Sequence, residues 1–277
     1  LPNDGQPGWQ QRCLAMSVRT DYHVHSKTAL LPSWLPIVWE EFITWRNKFW
    51  MYIVSYMLSP LIFLLSFGMG VGQRMKMMMP GGISYLEFLV PGVVALALFN
   101  NGMTSVMTRM YYSRIHYKSF ESYRLAPAGN LSIWLGYTLG GMMRGLASGL
   151  IVILVISFIV PLQLNPAFFG AVLLTAFCFA SFAVMLSLFM RTFDDQALIN
   201  ELILIPVTYL SGTLVPVERL PELLQPIVWC FPLTPAAKLL RSTLAGTGVS
   251  LQLVLLLVGW IVLFFILGLY RLNKMDA

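Results

Sequence analysis

Four stretches of this chain, residues 49–73, 88–108, 145–190 and 242–270, contain no Asp, Glu, Lys or Arg. Apolar runs of that length limit the fold more than any other feature, because a helix needs about 20 mostly apolar residues to cross a bilayer core. In lipid the backbone must satisfy its own hydrogen bonds, and for segments of this length the helix does so. The composition agrees, with 57% hydrophobic and 11% charged residues, against about 25% charged in a soluble domain. The third run is too long for one helix, and Pro161-Leu-Gln-Leu-Asn165-Pro166 divides it as a tight turn would. A further stretch, 197–215, carries a single charge, Glu201. The sequence therefore predicts an all-α membrane protein with six transmembrane helices, at about 50–70, 85–107, 135–160, 167–190, 197–215 and 251–270.

The basic residues set the orientation. With the N-terminus inside, Arg12, Arg19, Lys27, Arg46, Lys48, Arg109, Arg114, Lys118, Arg124, Arg191, Arg271 and Lys274 fall on the cytoplasmic side. Only Arg74, Lys76, Arg219, Lys238 and Arg241 fall outside, and Arg144 lies within a span. Both termini are read as cytoplasmic. The net charge of +6 is then a topology signal rather than a nucleic-acid footprint. Cys13, Cys178 and Cys230 are widely spaced, so neither a disulfide framework nor a zinc site is indicated. The run Met75-Lys-Met-Met-Met79 offers thioethers of the kind that suit Cu(I). No Cys or His lies near it, His23 and His25 sit in a polar tail, and no metal site is assigned.

Residues 1–33 read as a flexible N-terminal tail, of which 1–15, upstream of Met16 and without a signal-like apolar core, read as an extension. From 34 to 48 the pattern changes. Ile37, Val38, Trp39, Phe42, Ile43 and Trp45 mark an amphipathic helix, with Glu40, Glu41, Arg46 and Lys48 on other faces and Pro36 suited to its first turn. Trp34, Trp39, Trp45 and Trp50 fit a helix lying in the membrane interface.

The loop 109–129 interleaves Ile115, Tyr117, Phe120, Tyr123 and Leu125 with charges and stops sharply at Pro127 and Gly129. It reads either as a solvated, positive-inside loop or as a docking helix for a cytoplasmic partner, since aromatic residues and Arg are enriched in protein interfaces. Gly136, Gly140, Gly141, Gly145 and Gly149 in the third span predict close helix packing. Arg144 and Glu201 are intramembrane charges, and such groups pair or face water. Phe99, Asn100 and Asn101 are candidates to face a transport path, although paired amides also serve as helix–helix hydrogen bonds.

The segment from Leu210 to Pro235 is apolar yet carries Pro216, Pro221, Pro226, Pro232 and Pro235. Proline ends or kinks helices, and broken backbone at membrane depth survives only where protein buries it or where it lines a wet cavity. Re-entrant half-helices over 216–241, before the last span, are the predicted result, with Pro216, Leu220, Pro221, Pro226, Phe231, Pro232 and Pro235 forming a gate. A cytoplasmic tail, 272–277, closes the chain. No GxxxxGK[ST], HExxH or Ser-His-Asp arrangement occurs, so the chain is read as a non-enzyme without a nucleotide site. Energy for any uphill transport would then come from another subunit. The competing readings are a gradient-driven carrier or flippase working without an ATPase, and a membrane scaffold that transports nothing.

These residues together resemble the permease subunit of type-two ABC exporters over about 34–271. The most specific matches are Leu210-Ser-Gly212, Pro216, Leu220-Pro221, Phe231-Pro232-Leu-Thr-Pro235 and Arg241, with Phe88-Leu-Val-Pro91-Gly92 and Phe120-Glu121-Ser-Tyr-Arg124-Leu-Ala-Pro127 in support. Within that family the chain is similar to the rhizobial lipochitooligosaccharide exporters and antibiotic-resistance permeases. The resemblance implies a bacterial inner-membrane homodimer seated on two copies of a separately encoded ABC ATPase that holds ATP and Mg. It implies a coupling role for Arg114, Lys118, Phe120, Glu121, Tyr123, Arg124 and Pro127, and export of an amphiphilic or lipid-linked cargo such as a glycolipid, lipo-oligosaccharide or hydrophobic drug. One departure is Lys118-Ser-Phe-Glu121, where many relatives have a Gly near the glutamate.

Overall fold

Helices account for all the regular structure in the computed structural model, which describes residues 32–64, 66, 85–116, 120, 123, 129–158, 162 and 164–275. The predicted loop 71–83, the tail before residue 32 and the last two residues lie outside that set. The elements are α1 (Leu35–Asn47), α2 (Phe49–Phe63), α3 (Tyr85–Tyr111, continued by a wider turn over Tyr112–His116), α4 (Asn130–Ser157) and α5 (Pro166–Ser187). They continue with α6 (Phe193–Ile199), a wide turn (Asn200–Leu204), α7 (Ile205–Leu210), a 3-10 turn (Val217–Arg219), α8 (Gln225–Trp229), α9 (Leu233–Leu244) and α10 (Leu251–Lys274).

Local chemistry sets several of these boundaries. Pro36, Pro166, Pro206 and Pro226 each stand in a first turn, where a missing N–H costs nothing. Thr192 and Asp195 form a reciprocal capping box at the start of α6: the Thr192 hydroxyl accepts from the Asp195 N–H at 3.3 Å, and the Asp195 carboxylate accepts from the Thr192 N–H at 2.9 Å. Gly212, at φ 73°, turns the chain out of α7 in a conformation that a Cβ disfavours.

α3 is the axis of the packing. Leu89, Leu98, Phe99, Met103, Met107 and Met110 are fully buried along it, with α4 and α5 against it. Where α3 and α4 cross, glycines let the backbones touch: a Cβ on Gly145 would stand 3.3 Å from the Leu98 carbonyl oxygen and 3.5 Å from Gly102 Cα. The opposite face of α4 seats α1. A Cβ on Gly136 would meet Ile37 and one on Gly140 would meet Glu41, each at 2.8 Å. The predicted glycine packing thus serves two helices. α10 lies against α5 and α4 through Phe264–Phe182 and Phe265–Trp134 ring pairs at 4.6 and 4.9 Å. Its outer side, with Leu251, Leu255, Ile266 and Tyr270 exposed, is apolar as a lipid-facing surface must be.

Among the described residues, four helices are long and apolar enough to cross a membrane: α3 with its extension to Ile115, α4, α5 and α10. α2 is a shorter apolar helix of 15 residues. The segment expected at 197–215 is a continuous helical run from Phe193 to Leu210, with the wide turn inside it. The first span of the loop expected at 109–129 is helix: α3 runs past Arg109 to Tyr111 before its pitch widens.

Candidate functional site

The two ends of α3 each carry a polar assembly. At its N-terminal end, Pro91 removes the N–H that would bond the Glu87 carbonyl, and the next carbonyl, that of Phe88, accepts from Arg241 Nε at 3.2 Å. Arg241 stands on the third turn of α9. Its Nη2 donates to the carbonyls of Gly212 at 2.8 Å and Thr213 at 2.9 Å, and its guanidinium lies 3.8 Å above the Phe88 ring. Gly92 allows the approach, for a Cβ there would collide with the Thr213 carbonyl. The Thr213 hydroxyl donates to the Thr208 carbonyl at 3.1 Å, and the Tyr85 hydroxyl to the Leu214 carbonyl at 3.2 Å. Breaking α7 strands carbonyl oxygens inside the protein, and one planar cation gathers them.

Three stretches that stand out separately in the sequence therefore meet at one point: Phe88 to Gly92, Leu210 to Gly212, and Arg241. Of the expected gate residues, Pro216, Pro232 and Pro235 are buried, Leu220 and Phe231 are half-buried, and Pro221 and Pro226 are exposed. Pro232 precedes α9 and Pro235 lies in its first turn. The Thr234 hydroxyl donates to the Val228 carbonyl at 2.7 Å, binding α8 to α9.

At the C-terminal end of α3, α1 supplies two adjacent carboxylates. Glu40 pairs with Arg109 and accepts from the Tyr123 hydroxyl at 2.5 Å. Glu41, buried on the Ile37 side of α1, receives Arg109 Nε at 3.0 Å and Arg144 Nη2 at 2.7 Å. Burial pushes the Glu41 carboxyl above its ordinary value, while Arg144 and then Arg109 pull it back less strongly. Arg144 also reaches the Tyr52 hydroxyl at 3.4 Å and lies 5.2 Å from that ring's centre. A continuous chain of charged contacts thus runs from Tyr123 through α1 to the interior of α4.

Nearby, Arg114 donates from Nη1 to the Ser187 carbonyl at 2.8 Å and to that of Met190 at 3.4 Å, holding the C-terminal end of α5. Phe120 is buried with its ring 6.0 Å from that guanidinium. Arg114, Phe120 and Tyr123 are thereby tied to the helices. Lys118, Glu121, Arg124 and Pro127 lie outside the described residues.

Between these ends, a cavity of about 140 Å³ opens between α2 and α3, lined by Ser55, Pro60, Phe63, Val93, Asn100 and Asn101. Asn101 donates to the Ser148 hydroxyl at 2.7 Å, and Asn100 accepts from Thr208 at 3.5 Å, so both amides also bond neighbouring helices. Phe99 does not line the cavity: it is fully buried, edge-on to Phe179 at 5.1 Å. Glu201 lies exposed on the wide turn, and the partner of Arg144 is Glu41.

The sequence places Glu41 and Arg109 without a role and marks Arg241 only as part of a resemblance. Glu41 had a signal, since it follows Ile37 by four positions and shares its buried stripe. Arg241 had one as well, a cation flanked by Leu239 and Leu240 in a segment next to two helix breaks.

Several apolar helices able to cross a membrane, buried charge pairs and a helix broken after Leu210 describe a helical membrane protein of the transport-permease class. The sequence pattern of the ABC-2 type transporter matches residues 34–245, and the chain belongs to that family. It is 29% identical over 194 residues to the inner membrane transport permease YadH of Escherichia coli (strain K12), covering 69% of this chain and 75% of that protein. It is 25% identical over 234 residues to nodulation protein J of Neorhizobium galegae, covering 79% and 85%. Nodulation protein J of Sinorhizobium fredii (strain NBRC 101917 / NGR234) is 25% identical over 256 residues, covering 86% and 94%.

Proposed function

We propose that this chain is the permease subunit of an ATP-driven exporter of the bacterial inner membrane, which moves an amphiphilic or lipid-linked cargo outward. Two copies pair, and each rests on one of two separately encoded ABC ATPases, where ATP and Mg are bound. The chain crosses the membrane six times, the first span falling at about 50–70 and the fifth including the Phe193–Leu210 run. Both termini are cytoplasmic, α1 lies in the inner interface, and residues 216–241 re-enter the outer leaflet. Family membership and the likeness to YadH support the transport role. The orientation draws support from Arg109, Arg114, Arg191, Arg271 and Lys274, which occur where α3, α5 and α10 end.

The observation that carries the coupling part of this reading is the contact between Tyr123 and Glu40. Through it, movement of the loop by an ATPase below would reach Arg109, Glu41 and Arg144 without crossing a flexible joint. An interface with two discrete arrangements could then turn the central cavity outward. The test is co-purification of the permease with an ABC ATPase from the same cells, followed by nucleotide hydrolysis in liposomes. Glu121→Ala should lower the hydrolysis rate of the complex while leaving the permease folded. Cargo movement by this chain alone, without nucleotide, would refute the proposal.

A further inference from the structure

The junction of α1 and α2 is concave. The chain bends at Lys48, where φ is −118° and ψ is 25°, and the bend encloses about 530 Å³ open to the surroundings. Two cations, Arg46 and Lys48, line it beside Asn47 and the rings of Trp45, Phe49 and Trp50. Arg46 and Lys48 are exposed and have no acidic partner among the described residues. The rings form a continuous wall, with Trp45–Phe49 centres 4.8 Å apart and Phe49–Trp50 centres 5.8 Å apart, both pairs edge-on. Trp50 is 76% exposed, and the buried indole N–H of Trp45 has no hydrogen-bond partner among the described residues. α2 also starts here without a side-chain cap.

Each feature asks for the same kind of occupant. Two cations lining one concavity with no acidic partner among the described residues call for a phosphate-sized anion. Exposed rings next to them call for an apolar body attached to that anion, with amphipathic indoles at the boundary between the two. A soluble anion would leave the aromatic wall wet, and a neutral lipid would leave the cations without a counter-charge. We propose that the α1–α2 concavity is a binding site for an anionic phospholipid, its phosphate held by Arg46 and Lys48 and its glycerol and upper acyl carbons against Phe49 and Trp50. This rests on the reading of α1 as an interfacial helix. The bound lipid would belong to the inner leaflet and would fix the angle at which α1 presents Glu40 and Glu41 to the bundle.

The experiment uses the purified full chain in detergent, titrated with brominated phosphatidylglycerol or brominated phosphatidylcholine while tryptophan fluorescence is followed. Saturable quenching by phosphatidylglycerol at about 30-fold lower mole fraction is expected, given two basic groups at a lipid surface. Arg46→Gln/Lys48→Gln should abolish the difference between the lipids, Arg46→Lys/Lys48→Arg should keep it, and Trp50→Phe should remove most of the phosphatidylglycerol-dependent signal. Unlabelled phosphatidylglycerol should reverse the quenching, and millimolar inorganic phosphate should not. Equal quenching by both lipids, a preference that survives Arg46→Gln/Lys48→Gln, or displacement by inorganic phosphate alone would overturn the site. No ATPase enters the assay, so this result and the test of export fail separately.

Discussion

Arg241 Nη2 lies 2.8 Å from the carbonyl oxygen of Gly212, at the point where α7 stops and the chain turns toward the broken segment. The same guanidinium holds the Phe88 carbonyl of α3 and covers the Phe88 ring. A single side chain therefore joins the last intact turn before the break to the kinked beginning of the central helix. Wherever the segment 216–244 moves as a unit, this clasp must either travel with it or open.

Arg241→Met would leave three carbonyls without their donor in a buried place. Each hydrogen bond to a charged group contributes about 1.5–3 kcal/mol, so a loss of at least about 3 kcal/mol is expected. Arg241→Lys keeps the charge but not the fork, and should fall between the two. Thermal unfolding of the three proteins in one detergent measures this. A melting temperature unchanged in Arg241→Met would remove the clasp from any account of the fold.

Glycine positions offer a matched comparison. Gly92→Ala places a Cβ against the Thr213 carbonyl, which is backbone and cannot swing aside, so destabilisation of about 1–3 kcal/mol is expected. Gly259→Ala, in α10, meets nothing within 4 Å and should be neutral or stabilising, because alanine favours helix over glycine. Equal melting temperatures for these two variants would contradict the tight approach of α3 to residue 213.

The buried carboxyl of Glu41 implies a pH effect of definite sign. Its folded value is raised, chiefly by burial, which means that folding favours the protonated form. Its contribution to stability is therefore fully present below the ordinary carboxylate range and declines as pH rises through the raised value. Glu41→Gln removes that titration, so the variant's melting temperature should vary less with pH across the mildly acidic range than that of the native chain. Parallel pH profiles for the two proteins would show that Glu41 titrates normally.

Tyr123→Phe deletes one hydroxyl and the hydrogen bond to Glu40, leaving the ring and the fold in place. If the loop drives the helices through this contact, ATPase stimulation in the reconstituted complex should fall about tenfold, the scale of one charge-assisted hydrogen bond. Melting temperature should scarcely change. Full stimulation in Tyr123→Phe would send the coupling route elsewhere.

Much of the architecture was readable before any coordinates. Apolar runs marked α3, α4, α5 and α10, because burial in lipid is a property of a segment's own side chains. Pro36 marked the start of α1, and the prolines from 161 to 166 and from 216 to 235 marked breaks, for an equally local reason, the missing N–H. Boundaries were less legible: α3 was expected to stop at 107 and in fact carries Arg109 as a helical residue. The aromatic-basic loop pointed to Tyr123 and Phe120, yet the sequence did not reveal that Glu40 would receive the Tyr123 hydroxyl. Phe99 looked like a neighbour of Asn100 and Asn101 facing one path, but helical rotation turns it into the core against Phe179.

By itself, then, the sequence determined a helical membrane protein, the positions of most of its helices and the place where one of them breaks. Hydrophobicity and backbone chemistry act over a few neighbouring residues, so they can be read along a line. Only the tertiary structure decided that Arg144 is partnered by Glu41, and that Arg241 closes on carbonyls 29 and 153 positions away. A cation inside a protein takes whichever oxygens the packing brings within reach, and here glycines at Gly92 and Gly140 set that packing by letting neighbouring segments come close.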